Sequence, residues 1–165
     1  MDFDKTRERT VGGLLCYDYE PLDPSRLPPL YLAYHVSLGE PTEVFHNNIR
    51  ERYSRGEALV VDAMAHVAGL AAAGREALLS GDLERFSALM DQNFDARRRI
   101  YSLPQWQIDQ IETARRCGAS AQFAGSGGAI VGVYRDADML ADLRQALGAV
   151  GSRTFVPEMV PPRDS

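Results

Sequence analysis

The chain has little of several residue types, and each scarcity narrows what it can be. It contains only two cysteines, Cys16 and Cys117, which are far apart and form no CxxC pair, so we expect reduced thiols and a cytoplasmic location. The richest apolar stretch, residues 58–73, is interrupted by Asp62 and His66, so we expect no helix of the roughly 20 apolar residues that cross a membrane. The first residues lack the basic and apolar regions of a signal peptide.

Positive charge is also scarce. The 165 residues carry a net charge of −5, and lysine occurs once, at position 5. Nucleic acid is therefore not expected as a partner, because neutralising its phosphates requires clustered lysine and arginine. The three histidines lack metal-ligand spacing, and the acidic residues form no pair at catalytic separation. The residues alone therefore indicate neither a metal site nor a catalytic side chain.

What is present is an ordinary globular composition, 45% hydrophobic and 25% charged, at a length that suits one domain with an appendage. Residues 1–29 are polar and then rich in proline, which predicts an extended lead-in left from a preceding domain, with one short strand near residues 14–17. Residues 30–157 carry the regular patterns of the main domain. Residues 158–165 are predicted to form a disordered tail.

Within residues 30–157, the patterns predict β-α-β-β-α-β once consecutive helices are grouped together. A buried strand is expected at residues 30–36, and two further strands flank a glycine corner before a last one at 153–157. Asp82 and Asp136 are the expected N-caps of two helices, and Thr42 of another. The order predicts the α+β, ferredoxin-like split βαβ fold, an antiparallel sheet with helices packed on one face. The predicted helices span residues 42–53, 57–79, 83–100, the segment between Pro104 and Gly118, and the segment that follows Asp136.

The most informative stretch is residues 117–134, where two strand-like segments flank the corner Gly125-Ser126-Gly127-Gly128. One interpretation is a hairpin turn that needs positive φ. The other is a row of backbone N–H groups that face an anion. The pattern fits neither a hydrolase nucleophile nor a Walker A loop, because a strand rather than a helix follows and no Gly-Lys-Ser/Thr is present.

The helix predicted at residues 83–100 carries a second signal. Its apolar face ends in polar residues: Asn93 and Arg97 continue the stripe, and Arg98 lies at its edge. Because burying an unpaired arginine is costly, Arg97 must meet a partner, solvent or a ligand. It either extends past the end of the core into solvent or lines a cleft that faces an anionic or hydroxylated ligand. The apolar residues of this face are Leu83, Phe86, Met90 and Phe94.

At these residues the chain resembles the C-terminal half of a GHMP kinase, the superfamily of the galactokinase, homoserine kinase, mevalonate kinase and phosphomevalonate kinase relatives. Residues 121–131 are similar to the third glycine-rich motif of that family. Residues 30–34, 44–53 and 93–98 look most like the glucuronokinase branch of plants and related bacterial sugar 1-kinases. The resemblance covers most of residues 1–157, and the C-terminal domain of the family is ferredoxin-like, in agreement with the predicted order.

The resemblance implies an ATP-dependent kinase that phosphorylates a sugar or sugar acid, with ATP and Mg²⁺ as cofactors. It places the glycine corner, residues 125–128, beside the nucleotide phosphates. It places Asn93, Arg97 and Arg98 on the sugar side, where arginine suits a carboxylate. The phosphate loop, the N-terminal substrate motif and the catalytic aspartate of the family are missing from this sequence. We therefore expect an N-terminal kinase half as partner, or a homo-oligomer, with ATP and Mg²⁺ bound mainly by the missing half.

Two other interpretations stay open at this point. The chain could be a non-catalytic ferredoxin-like module that binds a small ligand or another subunit, or a relic that folds poorly. An exposed apolar surface, where an N-terminal half would dock, favours the kinase half, whereas weak sugar or nucleotide binding without turnover favours the module. Cooperative unfolding of the purified chain would dismiss the relic.

Overall fold

The computed structural model describes residues 9–16, 22–38, 42–125 and 127–159, apart from the side chains of residues 9 and 42–47. Within these ranges the strands are β1 (Arg9–Val11), β2 (Leu14–Cys16), β3 (Leu30–His35), β4 (Gln122–Phe123), β5 (Ala129–Val133) and β6 (Ser152–Phe155). The helices are α1 (Thr42–Ser54), α2 (Ala58–Ser80), α3 (Leu83–Arg98), α4 (Gln105–Arg116) and α5 (Ala137–Ala149).

Four of the strands form an antiparallel sheet in the order β4-β5-β3-β6. Leu32 of the central strand β3 lies opposite Val131 on one side and Phe155 on the other. Because α5 connects β5 to β6 across β3, the strand order is that of the split βαβ arrangement. The predicted ferredoxin-like fold class is therefore confirmed.

Helices cover one face of the sheet. Tyr31, Ala33 and Ile130 point into a continuous core that α3, α4 and α5 complete. The alternate residues of the same strands point to the other face, where Tyr34 and Phe155 are among the exposed large apolar side chains. The helical residues that complete the core include Phe94, Ile111, Ala114, Leu143 and Leu147.

A close contact between β3, β5 and the carbonyl of Ser120 fixes the middle of the sheet. The buried hydroxyl of Tyr31 donates a hydrogen bond of 2.9 Å to the carbonyl of Ser120, and burial raises the pKa of Tyr31 well above its usual range, so the group remains a donor. Gly132 lies beneath this contact, and a Cβ built there would come within 1.7 Å of the Ser120 oxygen. Any side chain at position 132 would therefore disrupt this contact.

Helix α2 lies outside this core and packs along α3, with Gly74 against the Phe86 ring. By length and composition it is the one helix of the described residues that could cross a membrane, although its sequence contains no uninterrupted apolar run of about 20 residues. Core helices pass the same test, which makes it weak evidence of a membrane span. Here only 17% of the apolar window is buried.

The caps and the lead-in show where sequence patterns were informative. Asp82 and Asp136 cap α3 and α5 as predicted, accepting hydrogen bonds from the N–H groups of Arg85 at 3.0 Å and Met139 at 2.9 Å. Leu83 was expected on the buried face of α3 but is 37% exposed, because it lies in the first turn beyond the edge of the core. β1 was not predicted; it pairs with β2 across a two-glycine turn. Position 17 of the predicted strand lies outside the described residues.

Candidate ligand-binding site

The glycine corner connects two antiparallel strands. Phe123 of β4 lies opposite Ile130 of β5, and the chain reverses between them. Gly127 and Gly128 have φ values of 135° and 82°, which residues with side chains rarely adopt, as the hairpin interpretation requires. Ser126 lies outside the described residues, so its predicted role stays a prediction.

The same corner keeps backbone donors unbonded. Within the described chain, the N–H groups of Gly125, Gly127 and Gly128 form no hydrogen bond, whereas the carbonyl of Gly128 accepts one of 3.0 Å from the N–H of His35. The corner is thus attached to β3 through a carbonyl, and its donors are left for another acceptor. The hairpin and the anion-binding interpretations are therefore compatible with each other.

The C-terminal end of α3 lies at the same end of the domain as the glycine corner. The carboxylate of Asp91 accepts a hydrogen bond of 2.8 Å from the N–H of Ala121, and the Phe94 ring meets the Phe123 ring edge-on, with 5.3 Å between centroids. Helix and strand therefore run in the same direction. One turn beyond Phe94, Arg97 lies at the end where β4 enters the corner.

The three predicted substrate residues have different surroundings. Asn93 lines a cavity of about 310 Å³ between α2 and α3, which Gln122 of β4 also lines. Arg97 is half-buried, and its guanidinium has no hydrogen bond or ion pair with any described residue. Arg98 instead forms an exposed ion pair of 3.0 Å with Glu112 of α4. The structure thus leaves Asn93 and Arg97 available to a ligand and engages Arg98 between two helices.

Gln107 lies beside the glycine corner, although sequence reasoning did not point to it. Its side chain is fully buried in the first turn of α4, and neither its Nε2 nor its Oε1 has a hydrogen-bond partner among the described residues. The amide lies directly against the corner: a Cβ built on Gly127 would be 2.5 Å from Gln107 Nε2. The available signal was spacing, because Gln107 shares a helical face with Ile111 and Ala114, both buried.

An aromatic contact holds the start of α4 against the sheet beside this amide. The rings of His35 and Trp106 meet edge-on, with 5.3 Å between centroids. Nδ1 of His35 also accepts hydrogen bonds from the N–H groups of Ser37 and Leu38, at 3.3 and 3.0 Å. His35 therefore connects the corner, the loop after β3 and the first turn of α4.

On the other side of α3, charges pair with each other. Arg115 of α4 donates to the carboxylates of Asp91 at 3.0 Å and Asp95 at 2.8 Å, and its guanidinium stacks over the Phe94 ring. Burial raises the pKa of Asp91, although the N–H of Ala121 and the charge of Arg115 both oppose the rise. These groups hold α3, α4 and β4 together, and none of them needs a ligand to complete its bonding.

The described residues offer no evident metal centre. Among them, no three His, Cys, Asp or Glu side chains lie close enough to hold an ion together. We therefore assign no Mg²⁺ ligand to this part of the chain. The unbonded N–H groups of the corner fit a phosphate oxygen instead, because backbone donors bind anions without a metal.

The sequence matches a known protein family and two curated relatives. The family described as GHMP kinases C terminal matches residues 75–153. Glucuronokinase 1 of Arabidopsis thaliana is 40% identical over 134 residues, and the probable glucuronokinase 2 of the same plant is 39% identical over 134 residues. Each alignment covers 79% of this chain and 36% of the relative. The chain thus spans about a third of the length of the curated relatives it matches.

Solved kinase structures share the fold at lower identity. A mevalonate kinase from L. major, in complex with R-mevalonate, superposes with a TM-score of 0.68 at 21% identity, covering 90% of this chain and 47% of the other. A galactokinase from Lactococcus lactis, complexed with galactose, gives a TM-score of 0.60 at 14% identity, covering 78% of this chain and 44% of the other. At these identities the likeness concerns the fold alone.

Proposed function

Residues 75–153 belong to the GHMP kinase C-terminal family, and from this premise we propose that the chain is the C-terminal half of an ATP-dependent sugar kinase of the glucuronokinase type. The identity to the two plant glucuronokinases carries the proposal, since it extends well beyond the family match. The substrate would be a sugar or sugar acid. The glycine corner, residues 125–128, and the C-terminal end of α3 would form one wall of the active site.

In this proposal the chain positions ligands and supplies no catalytic group. The N–H groups of Gly125, Gly127 and Gly128 would bind phosphate oxygens of ATP, with Ser126 beside them. Arg97 would pair with the carboxylate of a sugar acid, and Asn93 would hydrogen-bond its hydroxyls. Arg98 keeps a place in the prediction, although its pairing with Glu112 gives it a competing partner. Such contacts raise the rate by holding the reactants in line and by balancing phosphate charge.

The N-terminal half is a necessary partner in this proposal. The phosphate loop and catalytic aspartate expected of such kinases are missing from this sequence, and the curated relatives are nearly three times as long as the matched part. The exposed apolar surface of α2 supports a docking partner, since little of that helix is buried and Leu59 is 52% exposed. A non-catalytic binding module is less favoured because of the glucuronokinase identity.

A cytoplasmic location is part of the proposal. Cys16 and Cys117 are both free, which suits a reducing compartment. A kinase that consumes ATP also needs the ATP pool of that compartment. Mg²⁺ would enter with the ATP phosphates and be held mainly by the other half.

The decisive experiment is reconstitution. The chain would be co-purified with the N-terminal half of Arabidopsis glucuronokinase 1, and ADP release would be measured with ATP, Mg²⁺ and glucuronate. We expect no turnover from either half alone and glucuronate-dependent turnover from the complex. A stable complex that binds nucleotide or sugar without turnover would instead establish the binding module.

Arg97 and Arg98 provide a matched pair for testing the sugar side. They are neighbours on α3 with the same chemistry, but of the two only Arg98 has an ion-pair partner among the described residues. In the reconstituted complex we expect Arg97→Met to raise KM for glucuronate about tenfold or more, because a charge-assisted pair with the carboxylate is lost, and Arg98→Met to change it less than about threefold. Equal effects would remove Arg97 from the site.

A further inference from the structure

Gln107 presents a physical problem that the fold alone does not solve. The side chain is fully buried, and within the described part of the chain both its donor and its acceptor lack partners. A buried amide without hydrogen bonds destabilises a folded protein, and an apolar residue of similar size at the same position would avoid that cost. The amide therefore has a use that the ligand-free chain does not display.

Gln110, one turn later on the same helix, is the natural comparison. It is equally buried, but its Nε2 donates a hydrogen bond of 3.0 Å to the hydroxyl of Ser152 and only its Oε1 is unbonded. The fold thus provides a partner, here on β6, for a buried amide donor of α4 whose role is structural. Of these two buried amides of α4, only that of Gln107, which touches the glycine corner, lacks a partner for both polar atoms among the described residues.

The group that faces Gln107 is the backbone of Gly127. The 2.5 Å separation between a Cβ built on Gly127 and Gln107 Nε2 leaves no room for a side chain there. The N–H of Gly128, in the next peptide group, forms no hydrogen bond with the described residues. The Gln107 amide therefore lies directly against the backbone of Gly127, next to the peptide that joins it to Gly128.

Peptide geometry connects these two observations. The N–H and C=O of a trans peptide point in opposite directions. If the Gly128 N–H points outward at an anion, the Gly127 carbonyl of the same peptide points inward, onto the Gln107 amide. The two glycines permit this orientation because both already have positive φ.

We propose that Gln107 is a positioning residue for the glycine corner: its Nε2 donates to the Gly127 carbonyl when the Gly128 N–H binds a phosphate oxygen. The ligand class, a nucleotide polyphosphate, rests on the proposed function. The hydrogen bond itself is a property of this chain and does not need the N-terminal half. Gln107 touches no reacting atom and acts only through the corner.

Two variants of the full chain test the proposal, with inorganic pyrophosphate as the probe. Gln107→Met keeps the size of the side chain and removes both polar groups, and Gln110→Met is the matched control. Thermal unfolding of the ligand-free chains and calorimetric titration with pyrophosphate are the two measurements. Gln107→Glu, which keeps the acceptor but loses the donor when ionised, is the second site variant.

We expect Gln107→Met to raise the Tm of the ligand-free chain by a few degrees and to weaken pyrophosphate binding about tenfold, because one hydrogen bond in the bound state is lost. Gln107→Glu should weaken binding without raising the Tm. Gln110→Met should lower the Tm and leave the affinity within about twofold. Stability and affinity thus change in opposite directions only for Gln107→Met.

A lower Tm for Gln107→Met, an unchanged affinity, or no pyrophosphate binding by the wild-type chain at millimolar concentration would each overturn the proposal. Its failure is distinguishable from failure of the kinase assignment. Turnover by the reconstituted complex with an unaltered Gln107→Met variant would remove only the positioning role. Pyrophosphate binding that depends on Gln107, in a complex without turnover, would retain the positioning role and remove the kinase.

Discussion

Polar groups around the middle of α3 have partners within the chain, whereas several of those near its C-terminal end have none among the described residues. At the middle, Asp91 accepts from Ala121 and Arg115, and each of these charges and donors has a partner within the chain. At the end, the Arg97 guanidinium, the N–H groups of the corner and the Gln107 amide have none among the described residues. Since buried polar groups are normally hydrogen-bonded, the difference separates structural bonding from bonding that a ligand would complete.

The comparison has an energetic meaning. Groups that are already paired contribute to folding, and removing one of them should cost stability. Groups without partners contribute nothing to folding or oppose it. Removing them should leave stability unchanged or higher and should lower the affinity for a ligand. Substitutions at the two places therefore should affect different measurements.

The largest expected effect is a loss of stability when the core between α3 and the sheet is disrupted. Phe94 is fully buried and contacts Phe123, so Phe94→Ala should lower the free energy of unfolding by about 3–5 kcal/mol through lost burial and a cavity. Urea unfolding followed by circular dichroism measures it. Leu83→Ala, on the same helix but 37% exposed and outside the core, is the control and should cost about 1 kcal/mol or less. Similar losses for both variants would contradict the placement of the core.

An intermediate effect sharpens the comparison between paired charges. Arg115→Met removes bonds to both Asp91 and Asp95 and should cost about 1–2 kcal/mol in urea unfolding, a range discounted because the carboxylates are partly exposed. Arg98→Met removes one exposed ion pair and should cost about 0–1 kcal/mol. If the two variants lost equal stability, the bonds among Asp91, Arg115 and Asp95 would not hold α3, α4 and β4 together more strongly than an exposed ion pair does.

The smallest effect is a pH dependence. The pKa of Asp91 is raised in the folded chain, chiefly by burial, so the folded state keeps a proton that the unfolded state has released. The stability contribution of Asp91 should therefore fall as the pH rises from about 3.9 through the raised folded value, and should be constant above it. Comparing urea unfolding of the wild-type chain and Asp91→Asn between about pH 3.5 and 7 isolates this contribution.

Asp136 provides the opposite sign as a control. Its pKa is lowered, first by the N–H of Met139 and then by Arg135, so its contribution is present at neutral pH and is lost on acidification. The difference between wild type and Asp136→Asn should therefore shrink as the pH falls. The same slope for both aspartates would contradict the burial of Asp91.

Much of the fold could be predicted from the sequence because the relevant signals are local. Asp82 and Asp136 precede periodic apolar runs, and a cap needs only its own first turn. The two-glycine turn at Gly12 and Gly13 is also a local signal, and it accounts for β1, which was not among the predicted strands. The order of strands followed from the order of elements along the chain.

The site was less predictable because its contacts join residues distant in sequence. No sequence pattern around Arg98 predicts its ion pair with Glu112. The spacing of Asp91 and Arg115 likewise does not predict that they form an ion pair. Gln107 reads as an ordinary polar residue of an amphipathic helix until the burial of its whole face is known. Sequence similarity to kinases indicated the corner and α3, but only coordinates showed which of their polar groups lack partners.

The two-residue length of β4 has a consequence for growth of the sheet. β4 forms one edge, and a foreign strand arriving there would find few main-chain donors and acceptors in register. A short edge strand disfavours continued strand pairing between identical molecules. At the β4 edge, a second polypeptide would therefore have to contact the helices or the open face of the sheet, and the longer edge strand for pairing is β6 on the opposite side.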